Sequence, residues 1–183
     1  QIISVLKTEI ENNKKSTSIV VCPSTLVLNW KAEIEKWCPM IKVLIIRGTA
    51  DERKNQIEDC KKYNLVITSY DLLKRDVENY KGKKFKYIIA DEAQYIKNSS
   101  TQNATSLKSL NGDTKFALTG TPIENSIAEL WSIFDFIMPG YLYNYNKFKK
   151  KFEEPILKLE DTEALVRLKK LISPFVLRRV KKD

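Results

Sequence analysis

Residues 87–94 read YIIADEAQ and set the pattern on which the fold prediction rests. The first four residues are all apolar, which is typical of a strand buried on both faces of a parallel sheet. Two carboxylates, Asp91 and Glu92, follow where this strand ends. Adjacent carboxylates beside a buried strand are costly unless a cationic group neutralises them, so this strand end is the first candidate site.

Four further apolar runs repeat the pattern along the chain. Each run is followed by a segment with the apolar spacing of a helix or the polar composition of an exposed one. Five strand-then-helix units predict an α/β fold, with a parallel sheet and helices on both faces. In such sheets ligands bind beyond the carboxyl ends of the strands. Strands are predicted at 18–22, 43–46, 65–68, 87–90 and 116–119, and helices at 26–37, 51–60, from 71, 101–110 and 127–137.

The tail has a different character, because the strand pattern stops after residue 139. We therefore divide the chain into an α/β lobe at 1–140 and a helical, basic segment at 141–183, with helices near 144–153 and 161–173. Residues 147–183 hold 12 basic and 6 acidic side chains. This segment is interpreted either as a solvated basic cap or as a projection that contacts nucleic-acid phosphates or a partner lobe.

Composition narrows the class of protein. The 183 residues include no histidine, which excludes Ser-His-Asp and Cys-His catalysis and His-ligated zinc. Three widely spaced cysteines fit a reduced protein, and no apolar run approaches the roughly 18 residues of a membrane span. We expect no membrane and an intracellular location, in the cytoplasm or nucleoid, or in the nucleus of a eukaryote. The net charge of +9 favours an acidic polymer or an anionic surface as partner.

The residues that follow the strands are open to two interpretations. Asp91 and Glu92 suit nucleotide hydrolysis, in which one carboxylate holds Mg²⁺ through water and the other polarises the attacking water. The alternative is an acidic cap that complements a helix dipole. Hydroxyl groups after the other strands can relay hydrogen bonds and hold phosphates, or simply cap helices. These groups are Thr119 and Thr121 around Gly120, the pair Ser24 and Thr25, and the pair Thr68 and Ser69.

In this order and spacing, the segments resemble the motifs of the Swi/Snf-type ATPases of helicase superfamily two. The resemblance covers essentially the whole chain. The matched motifs are Ia at 22–30 (CPSTLVLNW) with Glu33 and Trp37, Ib at 67–71 (ITSYD), II at 90–94 (ADEAQ) with 96–98 (IKN), and III at 118–125 (LTGTPIEN), besides the segments 130–140 and 174–179.

The resemblance implies the first of two RecA-like lobes of an ATP-driven motor that moves along duplex DNA and remodels a nucleoprotein target. It implies ATP and Mg²⁺ as cofactors, with Asp91 binding the metal through water and Glu92 activating the attacking water. Coupling between the nucleotide and the second lobe would involve Gln94, Thr119, Gly120 and Thr121. The segment from 141 would be a helical protrusion before the interlobe linker. Sequence-independent contacts to the double-stranded DNA backbone would come from Ser24, Thr25, Thr68, Ser69, Lys97 and Asn98.

One motif of the family is missing. The phosphate-binding pattern Gly-x-x-x-x-Gly-Lys-Ser/Thr does not occur, and residues 1–8 read like the helix that follows it in the family. We therefore expect the chain to begin just after this loop and, without the loop or the second lobe, to hydrolyse no ATP alone. The alternative is a non-catalytic DNA- or protein-binding module with a degenerate motor fold. A helicase acting on RNA or single strands is less favoured, because RNA helicases of the superfamily usually carry a Ser-Ala-Thr type of motif III, whereas residues 118–122 read LTGTP.

Overall fold

The strands form one parallel sheet, as the sequence predicts. The computed structural model describes residues 1–120 and 127–178. Within these ranges the strands run in the spatial order β2-β3-β1-β4-β5, and every neighbouring pair is parallel. The α/β fold class is therefore confirmed. The strands are β1 (Ser18–Cys22), β2 (Val43–Ile45), β3 (Leu65–Ser69), β4 (Lys84–Ala90) and β5 (Asn111–Ala117).

Helices connect the strands and continue into the tail. None of the helices within the described ranges is both long and apolar enough to cross a lipid bilayer. In the lobe they are α1 (Ile2–Asn12), α2 (Val27–Trp37), α3 (Ala50–Glu58), α4 (Tyr70–Asp76), α5 (Gln102–Ser109) and α6 (Ile127–Ile137). In the tail they are α7 (Tyr145–Phe148), a π-helical turn (Lys149–Glu153), α8 (Glu154–Lys158) and α9 (Thr162–Ile172).

The core consists of two layers, one on each face of the sheet. Successive side chains of a strand point to opposite faces, so β1 contributes to both layers. Ile19 and Val21 pack against residues of α3 to α6, whereas Val20 and Cys22 pack against α1 and α2. The prediction of helices on both faces is therefore confirmed.

The last two strands begin earlier than the apolar runs predict. The strand predicted at 87–90 starts at Lys84, and the one predicted at 116–119 spans Asn111–Ala117. Their polar first halves pair with each other, with Lys84 opposite Asn111. Lys84 Nζ forms a salt bridge with Asp113 Oδ1 at 2.7 Å. This ion pair and the backbone hydrogen bonds extend the two strands beyond their apolar residues.

Helix α6 lies between the sheet and the tail. Its residues Ile133 and Phe136 belong to the core layer on the sheet. Its opposite face, with Trp131 and Phe134, packs against tail residues that include Phe148, and also Phe152 and Leu168. Because α6 packs on two opposite faces, most of its residues are apolar, while the side chains of Glu129 and Asp135 stay 36% and 26% exposed. This packing joins the lobe and the tail closely. The domain boundary between residues 140 and 141 stays a prediction.

Candidate active site

The parallel register brings the predicted site residues to one edge of the sheet. Ser69, at the end of β3, lies opposite Cys22 of β1. Ala90, at the end of β4, lies opposite Ala117 of β5 and opposite Val21 of β1. The residues that follow β1, β3, β4 and β5 therefore share the carboxyl edge, where ligands bind in sheets of this type.

Asp91 is held by four hydrogen bonds. Its backbone N–H donates to Val21 O at 2.8 Å and continues the ladder beyond β4. Its side-chain Oδ2 accepts from the indole Nε1 of Trp30 at 2.8 Å, and Oδ1 accepts from the backbone N–H of Glu92 at 2.9 Å. The hydroxyl of Tyr70 donates to Asp91 O at 2.8 Å. Both the backbone and the carboxylate of Asp91 are therefore oriented.

Asp91 also changes the titration of its neighbours. Burial, reinforced by the charge of Asp91, raises the pKa of the Cys22 thiol to about 12. The same two causes, in the same order, raise the pKa of Tyr70 above its ordinary value. Both groups consequently stay protonated at neutral pH, so the Tyr70 hydroxyl remains a hydrogen-bond donor.

Glu92 has an unusual backbone conformation. Its φ of 50° and ψ of 58° lie in the left-handed region, which costs a residue with a side chain about 1–3 kcal/mol. The next residue, Ala93, anchors the turn by donating its N–H to Leu118 O at 2.8 Å. Glu92 directly precedes the short helix Ala93–Ile96 and makes no side-chain capping bond to it.

A chain of hydrogen bonds links the ends of β4 and β5. Gln94 Nε2 donates to Glu92 Oε2 at 2.7 Å, and Thr119 Oγ1 donates to Gln94 Oε1 at 3.2 Å. The structure therefore brings together three of the residues predicted to act on or beside the nucleotide. Gly120 follows in an exposed bend, and Thr121 lies outside the described residues.

A cavity of about 390 Å³ opens beside Asp91. The start of α1 lines one side and α2 another, and the residues around it are Gln1, Ile2, Ile3, Leu26, Asn29, Trp30, Glu33, Asp91 and Leu118. A carboxylate favours cations, so Asp91 gives this cavity a wall that suits a divalent cation.

The predicted DNA contacts divide into exposed and buried residues. Ser24 and Thr25 are exposed in a turn directly after β1. Thr68 is 0% exposed, so it has no surface with which to touch a phosphate, and this prediction is corrected. Ser69 is 4% exposed, and its Oγ accepts from Leu72 N at 3.2 Å. Its observed contact is that of a helix cap, the alternative that the sequence left open.

Lys97 and Asn98 lie on the surface after the helical turn that carries Gln94. Lys97 Nζ lies 3.5 Å from Glu129 Oε1, with 60% of the lysine side chain exposed. Asn98 is exposed, and its Oδ1 accepts from the Ser100 N–H at 3.1 Å. An exposed ion pair of this kind contributes at most about 1 kcal/mol, so Lys97 can exchange its partner for a phosphate at little cost.

Sequence reasoning assigned no role to Trp30 or Tyr70, although both lie inside the quoted motifs. Trp30 contacts a residue 61 positions away, and Tyr70 one 21 positions away. The only signal in the sequence was that Tyr70 directly follows β3 and that Trp30 lies on the helix after β1. Trp30 reaches the end of the adjacent strand β4, whereas Tyr70 reaches past β1 to the same strand end.

The fold and the arrangement of the site together define a RecA-like lobe. Its defining features are a parallel sheet, two oriented carboxylates after β4, and a chain of hydrogen bonds from there to the end of β5. The SNF2-related domain family matches residues 1–183, and the chain belongs to this family. The predicted Swi/Snf-type membership is therefore confirmed.

Individual relatives agree with this membership. The chain is 39% identical over 164 residues to an uncharacterised ATP-dependent helicase of Mycoplasma genitalium, and 40% identical over 174 residues to Helicase domino of Drosophila melanogaster. Each alignment covers 90% of this chain, but only 15% and 5% of those relatives. The SWI2/SNF2 ATPase core of Sulfolobus solfataricus in complex with dsDNA matches with a TM-score of 0.90 and 39% identity, over 100% of this chain and 37% of that one. The chain thus spans a small part of its relatives.

Proposed function

We propose that the natural protein containing this chain is an ATP-driven motor on double-stranded DNA, and that this chain supplies most of its first lobe. The observation that carries the proposal is the bonded series Glu92, Gln94 and Thr119 beside the oriented carboxylate of Asp91. Such a series connects a residue at the nucleotide with the end of the next strand. A structural change at the nucleotide can therefore be transmitted, through these hydrogen bonds, to the surface that contacts a second lobe.

In this proposal Glu92 accepts a proton from the attacking water and Gln94 holds the Glu92 carboxylate in place. Asp91 faces the cavity with both oxygens already oriented, so it can accept from the water shell of a metal ion without first reorganising. A relative named as an ATP-dependent helicase and a solved relative named as an ATPase core support this use of the cavity.

Mg²⁺ fits the residues present. In residues 1–120 and 127–178 no group of three acidic, cysteine or histidine side chains could hold a metal ion alone. Mg²⁺ in nucleotide sites is instead held by one or two carboxylates together with the substrate phosphates and water, and Asp91 meets that need. When bound, the ion would neutralise charge on the phosphates.

The solved relative in complex with dsDNA supports a duplex as the track. In this chain the exposed candidates for contacts to the DNA backbone are Ser24, Thr25, Lys97 and Asn98. Contacts of hydroxyls, an amide and a lysine with phosphates carry no base information, so binding should be salt-dependent and nearly independent of sequence. A nucleoprotein complex is the proposed object of remodelling.

The test is ATP turnover by the natural full-length protein, with and without duplex DNA, beside its Glu92→Gln variant. We expect turnover that rises with duplex DNA and is lost in the variant, while the variant still binds ATP. No turnover under any condition, with DNA still bound, would establish the non-catalytic binding module instead. Stimulation by RNA or single-stranded DNA but not by duplex DNA would refute the duplex track.

A further inference from the structure

The indole of Trp30 fixes one half of the Asp91 carboxylate. Nε1 of Trp30 donates to Asp91 Oδ2 at 2.8 Å, from helix α2 across to the end of β4. The other oxygen, Oδ1, accepts from the backbone N–H of Glu92 at 2.9 Å. Because each oxygen has one donor, rotation about the carboxyl group would break at least one bond. The side chain is therefore held in a single orientation.

An indole has the right chemistry for this task. It donates a hydrogen bond and accepts none, so it does not compete with a carboxylate for a metal ion. It is also neutral, so it leaves the charge of Asp91 intact, whereas a lysine or arginine would offset that charge. A carboxylate offers about four acceptor positions, and the two bonds leave the others for further donors. The Trp30 ring also lines the cavity that Asp91 borders.

We propose that Trp30 is a positioning residue that presets Asp91 for the metal–nucleotide complex. The inference rests on the function proposed above, in which Asp91 holds Mg²⁺ through water. Trp30 acts only through Asp91: without its N–H, the carboxylate gains freedom to turn away from the cavity. The consequence is a higher Mg²⁺ requirement, because each binding event must then also immobilise the side chain.

Helix α2 supplies a matched control. Trp37 donates its Nε1–H to Glu33 Oε2, also at 2.8 Å. The bond has the same chemistry, but Trp37 is 61% exposed and water can replace it. Replacing either tryptophan by phenylalanine removes one N–H and keeps an aromatic ring on the same helix. The two variants therefore separate loss of an indole from loss of the bond to Asp91.

The experiment measures duplex-stimulated ATP turnover of the full-length protein as a function of Mg²⁺ concentration. For Trp30→Phe we expect the half-saturating Mg²⁺ concentration to rise about 2- to 10-fold, the equivalent of immobilising one side chain on binding. The affinity for ATP in EDTA and the melting temperature are measured on the same variants, to separate the Mg²⁺ requirement from nucleotide binding and from folding. Trp37→Phe should behave as the wild type in all three measurements.

A wild-type measurement covers the case in which Trp30→Phe folds poorly. In protein labelled with ¹⁵N-tryptophan, the indole N–H resonance of Trp30 should shift when Mg²⁺ and a non-hydrolysable ATP analogue are added together, and that of Trp37 should not. An unshifted Trp30 resonance would overturn the inference, and so would an unchanged Mg²⁺ requirement in a folded Trp30→Phe variant. In either case, duplex-stimulated ATP turnover by the wild type would still support the proposed function. A wild type that neither binds Mg²⁺ with nucleotide nor turns over ATP would overturn both.

Discussion

The ion pair between Arg53 of α3 and Asp76 of α4 offers a quantitative test of how the lobe is held together. Arg53 Nε donates to Asp76 Oδ2 at 2.6 Å and Nη2 to Oδ1 at 2.8 Å, while Nη1 donates to Gly48 O at 2.8 Å. Only 9% and 5% of the two side chains are exposed. Asp76→Asn keeps the size of the side chain but leaves a buried guanidinium without its counter-charge.

The expected cost follows from this burial. Removing one partner of a buried pair destabilises a protein by about 3–5 kcal/mol, because the remaining charge has neither water nor counter-charge. A domain has only about 5–15 kcal/mol of stability, so the loss would be large. The pair of substitutions Arg53→Met with Asp76→Leu removes both charges, and such replacements are often neutral or stabilising. The double variant should therefore recover most of the loss.

The assay is native-state hydrogen exchange of the α3 and α4 amides in the full-length protein at increasing urea, which gives a local free energy of opening. Lys31→Ala provides the control, because Lys31 and Glu35 form an exposed pair at 3.5 Å. Such a pair contributes about 0–1 kcal/mol. If Asp76→Asn costs no more than Lys31→Ala, or if the double variant is as unstable as the single one, the reasoning is refuted.

Three further predictions concern the site, the DNA surface and the edge strand. Thr119→Val should lower ATP turnover about 2- to 10-fold in steady-state kinetics, the effect of losing one neutral hydrogen bond, whereas Thr119→Ser should keep the wild-type rate. Equal rates for the two variants would contradict a role for the hydrogen bond between Thr119 and Gln94. Lys97→Ala should weaken duplex binding equally for unrelated sequences and reduce the slope of log K against log salt by about 1 in anisotropy titrations, whereas an unchanged slope would exclude a phosphate contact. Gly112→Ala should cost about 1–3 kcal/mol in thermal unfolding, since its Cβ would lie 2.7 Å from two Ile88 carbons; an unshifted melting temperature would refute the clash.

The central strands could be located from the sequence because they are buried on both faces. Every residue of β1 and β3 is buried, so each strand reads as an uninterrupted run apart from its terminal hydroxyl residues. The polar half of β5 could not be found in this way. Its Asn111 and Asp113 are exposed and are kept in the strand by pairing with β4, which leaves no periodic signal in the sequence.

The candidate site was predictable where a residue's chemistry is unusual for its position. Asp91 and Glu92 attract attention because adjacent carboxylates beside a buried strand are costly unless a cationic group neutralises them, and Gln94 and Thr119 lie in the matched motifs. Trp30 was not predictable, because an indole on an amphipathic helix is more often a core residue, and its bond to Asp91 depends on the order of the strands. The misassignment of Thr68 was avoidable: strand alternation puts it on the face of Val66, which belongs to the core.

The enclosure of α6 between the sheet and the tail has a mechanical consequence. Ser132 Oγ, on the inner side of this helix, donates to Ile96 O at 2.6 Å, in the turn that begins next to Glu92. A well-packed helix transmits displacement with little compression. Displacement of the basic tail would therefore reach Ile96 through α6 and Ser132, at the far end of the turn that begins next to Glu92, and strain in that turn would travel outward along the same route.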